Sequence, residues 1–514
     1  MTELTVPSAS TTPDSAQSPD AARRDRSRRA GDEGRPSGRR ATIPRWVVPA
    51  ALIVGCLVVF AAHFRPWEVA YMEEWPLARD WMGGGALGFA SNYVQWTLSR
   101  PLHLLPTMLG LAIGGGWPGM IFLVLALVAV GQLLAVMWAL RPMGSPVWLN
   151  VAVGLFLALH PLWPGGYLQR FLPAQTAALA LAIAIGMFIR WLLRGRVRWL
   201  VWGAVVLLAG LATYPGPAAV APLAAVVLAL AVKAPWRRGI LLAVTATATS
   251  ALMTFYSLVV TRFISPDAPS YEIGNIQQAA VGSLHDLITY VETTLLRDGP
   301  IVLAGIAAIA VLGAVLALSG AIPHPDGWLI AGTALVSPVT TIVFFGNTGW
   351  LSDIDRLGYV ISLALFAALM VWPIARTGLR PALSAILASA LILASLAGGA
   401  VGIRHWQPYI AAQHLLLTEL GPVVREAGPG EVVTVIDRSG SLGLFPSFPL
   451  QYLGPASVVW NHDDTPVWLC FEPPTPVPGG GSVCDPKDTG VDMRLIRSVP
   501  LSGGVADIYI GRLE

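Results

Sequence analysis

The sequence predicts an α-helical polytopic membrane protein with about eleven transmembrane helices and a small C-terminal extracytoplasmic domain of α/β or α+β type. Hydrophobic residues make up 54% of the 514 residues, charged residues only 12%, and the mean hydropathy is +0.62. A soluble domain carries about 25% charged residues, so a soluble globular protein is excluded. Apolar runs recur along the chain, and the composition changes after about residue 415.

The N-terminal segment 1–44 differs from the rest of the chain. It is rich in Ser, Pro, Ala, Asp and Arg and nearly free of large apolar residues, so we expect a disordered basic tail. Nine arginines lie between Arg23 and Arg45. The apolar run from Trp46 has no clean cleavage site, which favours a retained first helix over a signal peptide. The tail could contact nucleic acid, but a cytoplasmic topology anchor is favoured.

Residues 45–403 are predicted to form the transmembrane domain. A spanning helix needs about 20 apolar residues, and Lys and Arg concentrate in cytoplasmic loops. With eleven spans and a cytoplasmic N-terminus, the loops that carry Arg141, "RGRVR" at 194–198, "KAPWRR" at 233–238 and Arg376 all face the cytoplasm. The predicted spans are about 46–63, 117–140, 146–161, 171–192, 199–213, 217–234, 239–261, 299–319, 327–346, 357–375 and 382–403.

The first external loop, 64–116, is long for a connector. Its segment "SRPLHLLPTMLGLAI", 99–113, is apolar but short and holds two prolines. Counting it as a span would put "RGRVR" outside. We therefore expect an amphipathic helix that lies along the membrane surface.

Residues 404–514 are predicted to form the external C-terminal domain. Strand character is present at 431–437, 456–460 and 505–513. Cys470 and Cys484 flank a Pro- and Gly-rich loop, and a disulfide between them suits an oxidising compartment. A metal or redox site is the less favoured alternative, because no CxxC and no nearby His accompany them.

The segment "YMEEW", 71–75, places Glu73 and Glu74 just after the first predicted span. Carboxylates near a lipid boundary are costly to desolvate and often functional, although both could be ordinary solvated loop residues. Trp75 suits a membrane interface. Further polar candidates in the predicted external loops are Arg100, His103, Arg170 and Tyr214.

Three short motifs carry a family resemblance: "EEW" at 73–75, "SRPL" at 99–102 and "DRLGY" at 355–359. With them the sequence resembles the GT-C superfamily of integral-membrane glycosyltransferases. In that family the first external loop carries an acidic pair, in a subset "DDW" followed by "GRPL". Here Glu-Glu replaces the usual Asp-bearing pair, and Ser99 replaces the glycine. The Ala, Gly, Pro, Arg and Trp content favours an actinobacterial source.

The resemblance implies an inverting glycosyltransferase of the plasma membrane. It would move a sugar such as arabinose or mannose from a polyprenyl-phosphate donor to a cell-envelope glycan, lipid or protein on the outer face. The resemblance implies Glu73 as the general base with Glu74 beside it, and Arg356 and Arg100 at the donor phosphate. It leaves His103, Trp75, Tyr214 and Arg170 as substrate-binding candidates. Tyr214 belongs to "ATYPGP" at 212–217, which resembles a family turn in which an aromatic residue faces the cavity, although by itself it is a Pro- and Gly-containing helix break. No metal ligand is assigned, although some relatives use a divalent cation such as Mg, Mn or Ca.

Two other functions remain open from the sequence. A transporter or lipid flippase usually places ionisable groups within its spans and shows repeated halves, whereas the predicted spans are nearly free of charge and we find no internal repeat. A non-enzymatic envelope scaffold would make "EEW" incidental. Loss of turnover on mutation of Glu73 separates an enzyme from either alternative.

Overall fold

The computed structural model describes residues 74–163, 171–260, 299–345, 354–375, 381–439, 447–472 and 491–512, with a few isolated positions elsewhere. The chain divides into two units, Met1–Ala50 and Ala51–Glu514. Apart from residue 50, the described residues belong to the second unit. The predicted tail 1–44 and most of the first predicted span therefore lie outside the described residues.

The described part of the chain is mostly helical. Its helices before the first strand are α1 (Glu74–Thr97), α2 (Leu105–Ile113), α3 (Met120–Leu140), α4 (Val147–Leu159), α5 (Leu172–Arg194), α6 (Val197–Thr213), α7 (Val220–Ala231), α8 (Trp236–Val259), α9 (Pro300–Leu318), α10 (His324–Phe345), α11 (Ile354–Ile374) and α12 (Pro381–Glu426).

Membrane character is confirmed by the length and composition of these helices. Six candidate spans lie in α3, α5, α8, α9, α11 and α12, and the shorter helices α4, α6 and α7 are also apolar. The candidate span in α11, Leu357–Ile374, is fully enclosed by protein. It packs against α4, α7, α9 and α10 and so forms the centre of the bundle.

The basic loops meet at one end of the bundle. The guanidinium of Arg238 donates to the carbonyl of Leu192 at 3.0 Å, which joins the start of α8 to the end of α5. Lys233 pairs with Asp326 at 3.4 Å, which joins the end of α7 to the start of α10. The described basic loops at 194–198 and 233–238 therefore lie at one end of the helices, together with the start of α10, while Arg376 lies outside the described residues.

The first predicted external loop is largely helical. Residues 74–97 form α1, which is interrupted at Gly85 by a backbone with φ 59°. The predicted surface helix at 99–113 begins only at Leu105, because residues 98–104 form turns. Its Leu105, Leu109 and Ile113 are exposed and lie four residues apart on one helical face. An apolar stripe of this kind suits contact with lipid.

The other face of α2 packs closely on α3. A side chain at Gly110 would place its Cβ only 2.8 Å from the Cα of Ile121, so only glycine permits the observed approach. Thr107 and Leu111, on the same side of α2, are buried. The helix is therefore seated against the bundle and exposes an apolar stripe on its free side.

The C-terminal region is a four-stranded mixed sheet with one crossover helix. Strand β1 (Glu431–Asp437) is followed by α13 (Ser447–Asn461), β2 (Val467–Phe471), β3 (Val491–Leu501) and β4 (Gly504–Arg512). The strand order is β2-β1-β4-β3. The β1–β2 pair is parallel, while the β1–β4 and β3–β4 pairs are antiparallel.

Two of the three predicted strands are confirmed, as β1 and β4. The prediction at 456–460 is wrong, because these residues belong to α13. Leu453, Ala456 and Val459 are buried, and their spacing of three follows one face of a helix. The β-branched pair at 458–459 resembles a strand only when this spacing is ignored.

The boundary predicted at residue 404 falls inside α12. This helix has 46 residues, which corresponds to about 69 Å at 1.5 Å per residue. The hydrocarbon core of a bilayer is about 30 Å thick, so α12 extends well past it. Cys470 of β2 is disulfide-bonded. Its predicted partner Cys484 lies outside the described residues, so the pairing stays a prediction.

Helices α9 and α10 approach each other through two facing glycines. A Cβ at Gly313 would lie 2.7 Å from the carbonyl oxygen of Gly327, and a Cβ at Gly327 would lie 2.7 Å from that of Gly313. Small residues allow this backbone contact between membrane helices. The approach leaves no space for a methyl group on either helix.

We therefore expect Gly313→Ala to destabilise the protein by about 1–3 kcal/mol, the usual range for overpacking. Gly332→Ala in α10 is the matched control, because a Cβ there meets nothing within 4 Å. Both changes raise helix propensity equally. Thermal unfolding in detergent should show a lower midpoint for Gly313→Ala only, and equal midpoints would contradict the close packing.

Candidate functional site

The acidic pair lies at the start of α1. Glu74 is the first residue of the helix and is only 2% exposed. A carboxylate in the first helical turn is stabilised by the helix dipole, which offsets part of its desolvation. Glu73 lies outside the described residues. The structure therefore describes one member of the predicted pair, as a buried carboxylate.

Trp75 anchors this end of α1 to the C-terminal region. It is fully buried, and its Nε1 donates to Oε1 of Gln413 in α12 at 3.2 Å. Its ring lies 5.9 Å from that of Trp117 and 6.4 Å from that of Trp460 in α13. We call Trp75, Trp117 and Trp460 the tryptophan cluster. Trp75 was predicted as a substrate-binding candidate. In the structure it joins α1 to α12 and α13.

The "SRPL" motif lies in a turn, residues 98–104, that rests on the end of α6. The amide of Leu102 donates to the carbonyl of Ala212 at 3.1 Å. His103 Nδ1 lies 2.9 Å from the carbonyl oxygen of Thr213. A carbonyl only accepts, so Nδ1 carries the proton and donates. His103 thus holds the 98–104 turn against α6.

The end of α8 holds the same turn from a second side. The hydroxyl of Tyr256 donates to the carbonyl of Leu98 at 3.0 Å, and that of Ser257 donates to the carbonyl of Ser99 at 2.9 Å. Backbone groups near a membrane need such partners, because unpaired ones are costly to bury. The turn is therefore fixed by two helices, and so is the backbone of Arg100.

Arg100 and Tyr214 form a cation–π pair within this assembly. The guanidinium carbon of Arg100 lies 5.8 Å from the ring centroid of Tyr214, within the usual limit of about 6 Å. Tyr214 directly follows α6 and is buried. Its ring packs edge-on against Tyr359 of α11, with centroids 5.5 Å apart. The side chains of the "SRPL", "ATYPGP" and "DRLGY" segments thus meet.

Two further features hold this aromatic pair. Tyr359 donates its hydroxyl to the carbonyl of Ala174 in α5 at 2.7 Å. A Cβ at Gly216 would lie 2.6 Å from the ring of Tyr359 and 2.9 Å from that of Tyr214. Glycine at this position therefore lets the two rings meet. We call Arg100, Tyr214 and Tyr359 the arginine–tyrosine cluster.

The predicted site residues thus divide into two described groups joined by α1. The first group is Arg100 and His103, in the turn that follows α1, together with Tyr214 at the end of α6. The second group is Glu74 and Trp75, the first two residues of α1. Arg170 lies outside the described residues. Arg356 lies in the first turn of α11, where only its backbone is described.

The described residues contain no group of three or more His, Cys, Asp or Glu side chains that could hold a metal ion. Glu73 and Asp353 lie outside the described residues.

Three residues near the site were not singled out from the sequence: Trp163, Gln132 and Gln175. Trp163, in the segment after α4, packs on Tyr359 with ring centroids 4.8 Å apart. Gln132 and Gln175 are buried in α3 and α5, where Gln132 Nε2 donates to Oε1 of Gln175 at 2.9 Å. The sequence could have indicated Gln132 and Gln175, since a polar side chain within an apolar span is unusual.

Comparison with known proteins gives no match: no family model fits the chain, and neither a curated protein nor a solved structure shows significant similarity to it.

The tryptophan cluster yields a stability prediction. Trp75→Ala should destabilise the protein by about 3–5 kcal/mol, since it empties a fully enclosed site. Trp202→Ala in α6 is the control, because Trp202 is 58% exposed and its loss leaves no enclosed cavity. Limited proteolysis in detergent should release fragments cut near α1 from Trp75→Ala at lower protease concentration. Equal resistance of the two variants would contradict the anchoring role of Trp75.

Proposed function

We propose that the protein is an inverting glycosyltransferase of the GT-C type with about eleven spans, embedded in the plasma membrane. Its donor is a sugar linked to a polyprenyl phosphate, and its acceptor is a cell-envelope glycan, lipid or protein. The N-terminus lies in the cytoplasm, and the reaction and the C-terminal domain lie outside.

The observation that supports this proposal best is the arginine–tyrosine cluster. Its members come from three motifs that lie far apart in the sequence, at 99–102, 212–217 and 355–359. Arg100 and Tyr214 are in contact, and Tyr214 packs on Tyr359. Convergence of motifs noted for their resemblance to one enzyme family is expected if they build one site.

The position of Arg356 on α11 extends the cluster. Residues 356 and 359 are both helical, and residues three apart lie on the same face of a helix. Position 356 is therefore one turn before Tyr359, on the side of α11 that meets Tyr214. In the proposal, Arg356 and Arg100 approach the donor phosphate from two elements.

The end of the helix bundle at which the arginine–tyrosine cluster lies also supports the proposal. Ala174, Thr213 and Ser257 contact the cluster or the 98–104 turn, and they lie at the ends of α5, α6 and α8 opposite to Leu192, Arg196 and Arg238. Because basic loops favour the cytoplasm, this orientation supports an external position for the cluster. Polyprenyl-phosphate sugars would be used there.

The proposed reaction needs a base and a site for the leaving phosphate. The acceptor hydroxyl attacks the anomeric carbon as Glu73 removes its proton, and the bond from that carbon to the phosphate oxygen breaks with inversion. The polyprenyl phosphate leaves with the electron pair and needs no general acid. Guanidinium groups suit a phosphate because they donate from a planar fork.

Glu74 has a positioning role in this mechanism. It is buried at the first residue of α1, next to Trp75, which is held by Gln413. In the sequence, Glu73 directly precedes this fixed segment. This arrangement limits where the base can lie and supports catalysis by positioning.

The first test of the proposal is Glu73→Gln, which keeps the shape of the side chain and removes the proton acceptor. We expect a loss of about 100- to 10,000-fold in turnover, the usual effect of removing a general base. Binding of a short-chain polyprenyl-phosphate sugar should be retained. Release of polyprenyl phosphate measures the turnover.

The control is Glu419→Gln, a carboxylate of α12 that pairs with Arg497 in the C-terminal region. It should transfer normally. If Glu73→Gln is active while Glu74→Gln is inactive, the two carboxylates have exchanged roles. Full activity of both variants would contradict the glycosyltransferase proposal.

The second test concerns the two arginines. Arg100→Ala and Arg356→Ala should each weaken donor binding and turnover by about 10- to 100-fold, because a hydrogen bond to a charged group contributes about 1.5–3 kcal/mol. The Lys variants should lose less, since they keep the charge but not the fork. Arg79→Ala is the control, since Arg79 of α1 is half exposed and pairs with the adjacent Asp80. Normal donor binding by both arginine variants would leave them as membrane anchors.

A further inference from the structure

Helices α3 and α5 run side by side in the same direction. A Cβ at Gly131 of α3 would lie 3.2 Å from the side chain of Leu179, and a Cβ at Gly186 of α5 would lie 2.3 Å from the ring of Trp138. Residue 179 thus faces 131 and residue 186 faces 138, a difference of 48 in both pairs. The helices are therefore parallel, and both end at the same side of the bundle.

Arg190 of α5 is built into the contact between these two helices. Its guanidinium carbon lies 3.7 Å from the ring centroid of Trp138, a close cation–π contact. Its two terminal nitrogens donate to the carbonyls of Trp138 at 2.9 Å and Gly186 at 2.7 Å. Arginine has five N–H donors, and these bonds use two of them. The guanidinium is therefore held in place while it keeps donors for another acceptor.

Two exposed arginines lie next to Arg190. Arg194 follows it by four residues on the same face of α5. Arg141 directly follows α3, and the difference of 48 puts it level with residue 189 of α5. Both side chains are exposed, and their charges act on that of Arg190. We call Arg141, Arg190 and Arg194 the arginine triad.

The positive charge of the arginine triad is not balanced within the described part of the chain. The ion pairs among the described residues involve none of its three members. The sequence contains no Asp or Glu from residue 81 to residue 266. Each helix C-terminus carries about half a negative charge, so the ends of α3 and α5 together balance about one guanidinium. Two further charges remain, which favours an anionic ligand.

An apolar strip leads from the arginine triad toward the middle of the bundle. Residues seven apart lie on one face of a helix, and three apolar residues precede the arginines by seven positions. They are Leu134 on α3 and Ile183 and Met187 on α5, all partly exposed. A strip of this kind between two parallel helices suits an acyl chain whose headgroup lies at the helix ends.

We propose that the arginine triad binds the phosphate of one anionic phospholipid, in the leaflet at the basic end of the bundle. Guanidinium groups suit phosphate oxygens because they donate from a planar fork. A zwitterionic phospholipid fits less well, because the surplus positive charge repels its ammonium group. Free phosphate would leave the apolar strip uncovered. The site is independent of the proposed sugar transfer, since the arginine–tyrosine cluster lies at the opposite ends of α5 and α6.

Two variants each remove one exposed guanidinium of the arginine triad, Arg141→Gln and Arg194→Gln. Arg190 is left unchanged because its loss would also remove the contact with Trp138. Arg237→Gln is the matched control. Arg237 is exposed near the start of α8, and its guanidinium carbon lies 5.5 Å from the ring centroid of Trp236, which is 70% exposed. The control removes the same charge from the same end of the bundle.

The experiment measures lipid binding to the full chain by native mass spectrometry from detergent. The probes are dioleoyl phosphatidylglycerol, which is anionic, and dioleoyl phosphatidylcholine, which has the same chains and no net charge. The wild type should retain one phosphatidylglycerol more tightly than phosphatidylcholine. Each triad variant should bind phosphatidylglycerol about ten-fold more weakly, the usual effect of losing a hydrogen bond to a charged group. Arg237→Gln should match the wild type, and excess inorganic phosphate should not displace the lipid.

Four results would overturn the inference. Equal retention of the two lipids by the wild type would show no preference for an anion. Equal losses in Arg237→Gln and the triad variants would show a response to the overall charge of this end. Displacement by inorganic phosphate would assign the arginine triad to a free anion and not to a lipid. Unchanged binding in both triad variants would leave Arg141 and Arg194 as topology anchors. Should one triad variant not fold, the other supplies the same comparison.

Discussion

The hydrogen bond from the Leu102 amide to the Ala212 carbonyl seats the 98–104 turn on the end of α6, and the candidate site depends on that contact. A non-helical turn at a membrane boundary leaves backbone groups that must find partners. The ends of α6 and α8 supply them. The consequence is a fixed backbone for Arg100. Its guanidinium contacts the ring of Tyr214, which follows the same α6.

The two ends of α1 connect this turn to α12 and α13. At one end the 98–104 turn presents Arg100, and at the other Trp75 is buried against α12 and α13. Because both ends are anchored, α1 holds Glu74 at its first residue and leads at its other end into the turn that carries Arg100.

Much of the helical part could be predicted from the sequence, because apolar runs flanked by basic residues define spans in a membrane whatever their partners. The helix α1 could not, since Gly83, Gly84 and Gly85 interrupt its pattern and argue against a helix. Its stability comes from Trp75 and from contact with α13. The error at 456–460 has a similar origin, because the period of α13 is set by burial against the sheet.

The candidate site was only partly predictable. Arg100 and Tyr214 were identified from short motifs, but their contact depends on Gly216, whose importance is visible only once the two tyrosine rings are in place. The packing of Trp163 on Tyr359 could not be predicted, because it is a property of packed helices and leaves no pattern in residue type or spacing.

In the proposed function, a polyprenyl phosphate binds at the arginine–tyrosine cluster. The most direct measurement is photo-crosslinking of the detergent-solubilised protein with a short-chain polyprenyl phosphate that carries a diazirine next to the phosphate, followed by mass spectrometry of peptides. We expect labelled residues in the 98–104 turn and around 212–217, and loss of that labelling in Arg100→Ala. Labelling confined to the lipid-facing surfaces of α8, α9 and α10, unchanged in Arg100→Ala, would contradict it.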